Sequence, residues 1–312
     1  MATSSRVSPL DPHSPQAAAI AELFTNALFI CGGVFLLVTV LVFYCAYRFR
    51  AVDDQEPRQV EGHRGLEIGW TIAPVVILTV LLTFTVRAMT ASDGPIDRDP
   101  DVTIIGHQWW WEVRYPSGVV TANEVHIPVG KALVFRIESA DVIHDFWVPE
   151  LGRKIDAIPG RPASIWLEAD DPGPYVGTCA EYCGVQHAWM RILVIAEPLE
   201  QFAEWQRQQL LPASPPTQAD TVRGAAIFGS MACVSCHAIG GAVANEKARY
   251  APDLTHLGDR KTLGAGILTN TSAELGRWLR NPQEIKTGCH MPDTQLSDQQ
   301  VRDLVAYLES PR

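Results

Sequence analysis

The chain has 312 residues, enough for two soluble domains, and 47% of them are hydrophobic, a fraction that points to membrane segments. Its formal net charge of −10 excludes a general nucleic-acid-binding protein, because phosphate recognition needs basic patches. Of its seven cysteines, Cys31 and Cys45 lie in an apolar run and are interpreted as small hydrophobic residues.

Two apolar segments near the N-terminus predict membrane-spanning helices. Residues 23–47 and 68–86 carry no charged side chain, and each segment can cross about 30 Å of hydrocarbon as a helix. The loop between them carries four basic residues, Arg48, Arg50, Arg58 and Arg64. By the positive-inside rule this loop faces the cytoplasm, so both termini and the rest of the chain lie on the outer side.

Glu67 stands at the start of the second apolar segment. An ionisable residue at a membrane edge is either a solvated flank or an entry point for protons, and the residues alone favour the flank.

Short strands are predicted between residues 101 and 198. Alternating apolar stretches are separated by Pro and Gly clusters at 102–105, 133–137, 164–167 and 191–195. Such a run of short strands suggests a β-sandwich or a Greek-key barrel. Three consecutive tryptophans lie in this region, and if they form a strand, Trp109 and Trp111 share one face while Trp110 occupies the other. The simplest role for any one of these rings is to fill the core.

A short stretch near residue 180 combines soft metal ligands. Cys179, Cys183, His187 and Met190 lie close together, and a second histidine, His144, lies upstream. Sulfur with imidazole selects copper or zinc, and the paired Cys-x2-Cys spacing of structural zinc sites is absent from this stretch.

The four-residue spacing of the two cysteines allows both thiolates to bridge the same two metal ions, which leaves one histidine for each ion. Met190 and the backbone carbonyl of Glu181 can then act as weak outer ligands. This ligand set suits a dinuclear copper site. The alternative is a disulfide between Cys179 and Cys183, which leaves the histidine and methionine spacing unexplained.

A second redox motif follows a helix and a Pro-rich linker at 199–220. The linker itself, residues 212–220, spans roughly 17 Å if flexible and keeps the next domain near the copper site. Cys233, Cys236 and His237 form Cys-x-x-Cys-His, the attachment motif for c-type haem. The thiols form thioethers, and the histidine is placed under the iron. A thioredoxin-like pair would lack the histidine and expect a βαβ setting.

The sixth haem ligand is predicted to be Met291, which precedes a final helix with a capping box at Ser297. Thioether ligation raises the haem potential. The adjacent His290 is a competing ligand, and Cys289 is assigned no role.

The copper motif resembles the CuA domain of cytochrome c oxidase subunit II over about residues 10–200. The residues that carry this resemblance are His144, Ile158-Pro159-Gly160-Arg161 and Cys179-x-Glu181-x-Cys183-Gly184-x-x-His187-x-x-Met190. Met291-Pro292 before a last helix, and Pro252-Asp253-Leu254, resemble small class I cytochromes c. The whole chain resembles subunit II of a caa-type, proton-pumping oxidase with a fused cytochrome c domain.

The resemblance implies a membrane-anchored multidomain fold. An extracytoplasmic tail (1–22) precedes a two-helix transmembrane hairpin (23–90), a β-sandwich, cupredoxin-like CuA domain (95–198), the helix and linker (199–220), and a small all-α class I cytochrome c domain (221–312). The location is a bacterial-type cell membrane, crossed twice.

The resemblance also implies roles for individual residues. Electrons would pass from soluble cytochrome c through the haem and the dicopper site to the haem of subunit I, where oxygen is reduced. Trp109 would be an exposed relay through which electrons enter, and Glu67 would lie at the mouth of a proton pathway. The side chain of Glu181 would bind magnesium against subunit I. The partners would be subunit I, other oxidase subunits, soluble cytochrome c and the lipid bilayer.

Two alternatives remain beside this interpretation. Subunit II of quinol oxidases has the same hairpin and fold but lacks the copper ligands, all of which are present here. A membrane-anchored copper and haem redox sensor, or a copper-handling protein, would bind the metals without passing electrons onward. The haem motif argues against a copper chaperone, since copper delivery does not use a covalent haem.

Overall fold

The computed structural model describes residues 7–50, 61–94, 96–240 and 250–310. Arg58, one of the loop arginines behind the predicted orientation, lies outside these residues. The chain forms two compact units, one of Ala18–Asp93 and the other of Met1–Ala17 with Gly94–Arg312.

The unit Ala18–Asp93 is built from two long apolar helices. Helix α1 spans Pro15–Arg48 and helix α2 spans Arg64–Ser92, with 34 and 29 residues. At 1.5 Å per residue these helices measure about 51 and 44 Å, longer than a hydrocarbon core of about 30 Å. Their apolar side chains are largely exposed, as expected for surfaces that contact lipid. The two predicted transmembrane helices are confirmed.

Helix α1 begins within the segment 1–22 that the sequence analysis assigned to a tail. The Ser14 hydroxyl accepts a hydrogen bond from the Ala17 amide at 3.0 Å, and Pro15 occupies the first turn. A serine cap followed by proline is a common start of a helix. Just before it, the His13 amide donates to the Glu150 carbonyl at 2.9 Å, which holds the segment against a turn of the same unit.

The second unit contains a β-sandwich of ten strands among its described residues. The strands are β1 (Val102–His107), β2 (Trp110–Arg114), β3 (Val120–Ala122), β4 (Glu124–Pro128), β5 (Leu133–Ser139), β6 (His144–Trp147), β7 (Ile155–Ala157), β8 (Ala163–Leu167), β9 (Gly173–Cys179) and β10 (Arg191–Glu197). One sheet has the order β3-β2-β1-β5-β8 and the other β4-β10-β9-β6-β7. The pairs β1–β5 and β4–β10 are parallel, and the other pairs are antiparallel.

Apolar side chains from both sheets share one core. Its fully buried members include Trp111, Phe135, Phe146 and Met190. Alternating residues on each strand face this core, which is the packing expected of two face-to-face sheets. The predicted β-sandwich is confirmed.

The C-terminal part is mainly helical. Its helices are α3 (Leu199–Gln209), α4 (Ala219–Ser230), α5 (Ser272–Arg280), α6 (Pro282–Ile285) and α7 (Asp298–Leu308), and a hairpin of β11 (Thr262–Leu263) and β12 (Leu268–Thr269) lies between α4 and α5. Ser297 caps α7 in the predicted capping box. Helices α4 and α7 pack closely at Gly224, where an added Cβ would lie 2.1 Å from the Asp303 carbonyl oxygen. The helical C-terminal domain is confirmed, with the small hairpin as an addition to the predicted all-α fold.

Candidate metal centre

The two cysteines of the stretch 179–190, called the copper loop below, lie side by side but unbonded. Cys179 ends β9, and Cys183 follows in the loop; both side chains are buried. Their sulfur atoms are 3.8 Å apart, whereas a disulfide bond measures about 2.05 Å. The structure therefore holds two separate thiols and not the alternative disulfide.

Each sulfur has its own histidine. His144, the first residue of β6, places Nδ1 3.9 Å from the Cys179 sulfur. His187, in the short 3-10 turn His187–Trp189, places Nδ1 3.8 Å from the Cys183 sulfur. The ligand atoms of His144, Cys179 and Cys183 all lie within 4.8 Å of one another. Two sulfur–histidine pairs therefore lie side by side, with their two sulfur atoms in contact.

Each pair also has one weak ligand atom nearby. The Met190 thioether sulfur is 3.9 Å from the Cys183 sulfur, and its side chain is fully buried. The Glu181 carbonyl oxygen is 3.2 Å from the Cys179 sulfur, while the Glu181 side chain is exposed. Soft sulfur and imidazole in this arrangement fit copper better than a hard cation.

Hydrogen bonds and burial shift the pKa values of the candidate ligands in different directions. The hydrogen bond between the thiols lowers the pKa of Cys179 against the opposing effect of burial, and His144 lowers it further. Burial lowers the pKa of His144, but its hydrogen bonds to Asp141 and Cys179 outweigh burial, so the net pKa is raised. The thiolate is the metal-binding form of cysteine, and these hydrogen bonds promote it at Cys179. The same thiol–thiol hydrogen bond, together with burial, raises the pKa of Cys183, so one thiolate of the pair is favoured over two.

The haem motif lines an apolar cavity. Cys233 and Cys236 follow α4 in a 3-10 turn, and both line the cavity together with His237 and Met291. The His237 Nδ1 atom lies 2.7 Å from the Pro252 carbonyl oxygen, which fixes that nitrogen as the protonated one and leaves Nε2 for a metal. Burial lowers the pKa of His237, so the imidazole is neutral at pH 7. Two free thiols, a neutral imidazole and apolar walls fit a covalently bound haem.

His290 and Met291 both line this cavity but have different surroundings. Met291 packs against the core of the C-terminal domain. His290 is exposed, and its ring centroid is 4.9 Å from that of Trp109. Cys289 is held by its neighbours, since Gln283 Nε2 donates to its carbonyl oxygen at 2.9 Å.

Known protein families match the membrane helices, the β-sandwich and the C-terminal domain in turn. Three family models match: the transmembrane domain of cytochrome c oxidase subunit II over residues 4–87, its periplasmic domain over 117–197, and cytochrome c over 221–311. Cytochrome c oxidase subunit 2 of Alkalihalophilus pseudofirmus is 35% identical and aligns over 96% of this chain and 90% of its own length. The chain belongs to the cytochrome c oxidase subunit II family.

Two further comparisons are with other subunit II proteins. Subunit 2 of Bacillus sp. PS3 is 34% identical over 84% of this chain and 79% of its own length. The solved periplasmic domain of subunit II from Bradyrhizobium japonicum is 33% identical and covers 36% of this chain and 95% of that domain, with a TM-score of 0.34. This subunit II carries a fused cytochrome c domain, as in caa-type oxidases, and has an electron-transfer role in a membrane-anchored oxidase with subunit I.

Trp109 differs from its prediction. The resemblance implied an exposed relay, but Trp109 is only 9% exposed, and it lies in the turn between β1 and β2 instead of sharing a strand face with Trp111. Its ring nitrogen donates to the Cys183 carbonyl at 3.0 Å, and His290 of the cytochrome c domain covers its ring. The residues that cover Trp109 lie far along the chain, so its burial could not be predicted from local spacing. Its role in electron entry stays a prediction.

Asp141 was not predicted to have a role. Its Oδ1 atom lies 2.8 Å from His144 Nε2, and its Oδ2 atom accepts the Gln108 amide at 2.6 Å. Gln108 Nε2 in turn donates to the Cys183 carbonyl at 2.7 Å. The sequence offered one signal, an acid three residues before a predicted ligand, because metal-binding histidines usually donate their other ring nitrogen to a carboxylate or carbonyl.

Glu67 lies in the first turn of α2, in the unit Ala18–Asp93, and its side chain is exposed. It is not among the residues that converge on the copper loop. Its predicted role in proton entry stays a prediction.

Proposed function

We propose that this subunit II binds two copper ions through six groups of the copper loop and β6. These groups are the side chains of His144, Cys179, Cys183, His187 and Met190 and the carbonyl oxygen of Glu181. The observation that supports this assignment is the convergence of two sulfur–histidine pairs, with their sulfur atoms 3.8 Å apart. Rigid strands hold both ends of the loop, which restrains the ligands in both oxidation states.

The same proposal assigns the haem. Cys233 and Cys236 would form the thioether links to the haem, and His237 would bind its iron. Met291 would be the second iron ligand, since it packs against the domain core whereas His290 is exposed. Copper and haem, when bound, supply the one-electron redox chemistry.

The chain thereby takes electrons from soluble cytochrome c at its own cytochrome c domain and delivers them, by way of the haem and the two copper ions, to the haem of subunit I in a proton-pumping oxidase. Both soluble domains lie on the outer side of a bacterial-type cell membrane, because the basic residues Arg48, Arg50 and Arg64 gather between the two apolar helices.

Two acidic residues have further proposed roles. The backbone carbonyl of Glu181 lies 3.2 Å from the Cys179 sulfur, and its exposed side chain binds magnesium at the contact with subunit I. Glu67 provides the entrance of a proton pathway at the membrane edge.

The copper assignment is tested by serine substitution in the assembled oxidase. Cys179→Ser and Cys183→Ser should each lose copper and abolish oxygen consumption driven by soluble cytochrome c, while the haem absorbance stays. Cys31→Ser, in an apolar helix outside the copper loop, is the matched control and should retain both. Full turnover in Cys179→Ser/Cys183→Ser would refute the assignment.

A further inference from the structure

The haem cavity is completed by residues of the β-sandwich. Besides the haem motif and Met291, its walls include Gln108 and Trp109 from the β1–β2 turn, Trp110 from β2, and Asn123 between β3 and β4. A cavity with walls from two domains keeps its shape only while those domains stay together.

Lys286 sits at the centre of this contact. It follows α6 in the cytochrome c domain, yet its side chain is only 4% exposed. Its Nζ atom donates to three backbone carbonyls, of Trp109 at 2.9 Å, Trp189 at 2.9 Å and Gly264 at 3.1 Å. These contacts use all three donors of an ammonium group. One lysine therefore joins the β1–β2 turn, the copper loop and the β11–β12 hairpin.

The charge state of Lys286 matches these contacts. Burial lowers its pKa to about 8, and nearby Cys289 and Cys183 oppose that effect. The group is therefore still mainly protonated at pH 7, with its three N–H bonds available to the three carbonyls.

A second set of bonds lies at the other edge of the contact. Glu124, in β4, is only 2% exposed, and its carboxylate accepts the backbone amides of Lys261 at 2.8 Å and Thr262 at 2.7 Å. The Thr262 hydroxyl donates to the same carboxylate at 3.0 Å. A buried carboxylate with several donors is well satisfied, and it binds the C-terminal domain through that domain's backbone.

The hairpin itself is shaped for close approach. Gly266 has a φ of +80°, and a Cβ added there would lie 2.9 Å from the Arg191 Cβ in β10. The Arg191 amide donates to the Ala265 carbonyl at 3.1 Å. Ala265 is buried against Trp110 and Ala122 of the sandwich.

We propose that Lys286 is a positioning residue that holds the cytochrome c domain against the copper loop in one orientation. This fixed contact, called the dock, is where electrons pass between the two domains of the chain. The inference rests on the proposed function and adds a structural requirement to it. The Pro-rich linker alone would raise the local concentration of the two domains but would leave their orientation free. Lys286 and Glu124 fix that orientation.

The dock also changes where an external electron donor can bind. Trp109 lies between the Cys183 carbonyl and His290, so the docked domain covers the surface that a soluble donor would need. Electrons must therefore enter at the exposed surface of the cytochrome c domain and reach Trp109 from inside the contact.

The test compares Lys286→Met with Lys261→Met in the assembled oxidase. Both substitutions remove one positive charge from the same domain, but the Lys261 side chain is exposed and only its backbone amide takes part in the dock. Glu124→Gln weakens the dock from the sandwich side, away from the copper ligands, and serves as a second variant.

The first measurement is hydrogen exchange at the amides of Lys261, Thr262 and Arg191. Lys286→Met and Glu124→Gln should exchange there at least about tenfold faster, because losing a hydrogen bond to a charged group shifts an opening equilibrium by that factor or more. Lys261→Met should match the unsubstituted chain. Unchanged or slower exchange in Lys286→Met would show that the buried amine does not hold the dock.

The second measurement is the rate of electron transfer from haem to copper after flash reduction of the haem. In the unsubstituted chain and Lys261→Met this rate should not depend on solvent viscosity. In Lys286→Met and Glu124→Gln it should fall at least about tenfold and become viscosity-dependent, because the domain must find its orientation first. A merely less stable fold would not create a viscosity dependence, so a viscosity-independent rate in both variants overturns the proposal.

The copper and haem content of the unsubstituted chain distinguishes a failure of the proposed function from a failure of the dock. Missing copper there would refute the proposed function. Both metals present, with unaltered exchange and rate in Lys286→Met, would refute only the dock.

Discussion

The Asp141 carboxylate links His144, a proposed copper ligand, to Gln108 in the β1–β2 turn. One oxygen lies 2.8 Å from His144 Nε2, and the other accepts the amide of Gln108, whose neighbour Trp109 lines the haem cavity. Burial raises the pKa of Asp141, but the hydrogen bonds of His144, Gln108 and Val142 outweigh burial and the net pKa is lowered. The carboxylate therefore stays charged and orients the imidazole.

Asp141→Asn should lower the affinity of the copper loop for copper by roughly 10–100-fold, the usual effect of altering a residue that orients a metal ligand. Copper competition titration of the purified chain measures this loss. Asp99→Asn, at an exposed position before β1, provides the control. Equal affinities in the two variants would mean that Asp141 does not orient His144.

Met291 and His290 form a natural pair for assigning the sixth haem ligand. Met291→Ala should lower the haem reduction potential by on the order of 100 mV, a fraction of the roughly 0.8 V that axial ligands span. His290→Ala should leave the potential nearly unchanged, because its ring contacts Trp109 on the exposed side. A redox titration of the haem absorbance distinguishes them, and the reverse pattern would make His290 the ligand.

At the scale of elements, helices α4 and α7 support the haem motif. Gly224 lets the two helices approach, since an added Cβ would lie 2.1 Å from the Asp303 carbonyl oxygen and 2.6 Å from the Tyr307 Cβ. The cytochrome c domain is small, so separating this pair affects much of its core.

Gly224→Ala should destabilise the cytochrome c domain by about 1–3 kcal/mol, the usual cost of forcing extra volume into a packed contact. Gly229→Ala is the matched control on the same helix, where nothing lies within 4 Å of the added Cβ. It should be neutral or stabilising by up to about 1 kcal/mol, because alanine favours helix over glycine. Denaturant titration of the full chain, followed through the haem absorbance, measures both. Equal stability of the two variants would contradict the close helix contact.

Local spacing explains why some elements could be predicted from the sequence. The copper loop and the Cys-x-x-Cys-His motif each lie within a few residues, so their chemistry is visible in one short stretch. The apolar runs of α1 and α2 and the capping box at Ser297 are equally local. The parallel pairs β1–β5 and β4–β10 depend on contacts far apart in the chain and could not be predicted from alternation.

At the scale of the whole molecule, the contact between the sandwich and the cytochrome c domain was the feature that spacing could not reveal. Lys286 has no motif around it, and its importance follows only from three carbonyls contributed by distant segments. The burial of Trp109 has the same origin, which is why the resemblance implied an exposed ring. Contacts between residues far apart in the sequence determine both the role of Lys286 and the burial of Trp109.

The proposed function depends most on the binding of two copper ions by Cys179 and Cys183. Electron paramagnetic resonance of the purified, copper-loaded chain tests this directly, combined with metal analysis. We expect two copper atoms per chain and a hyperfine pattern from one unpaired electron shared equally between two copper nuclei. A single copper atom per chain, or the spectrum of an isolated copper(II) ion, would contradict it.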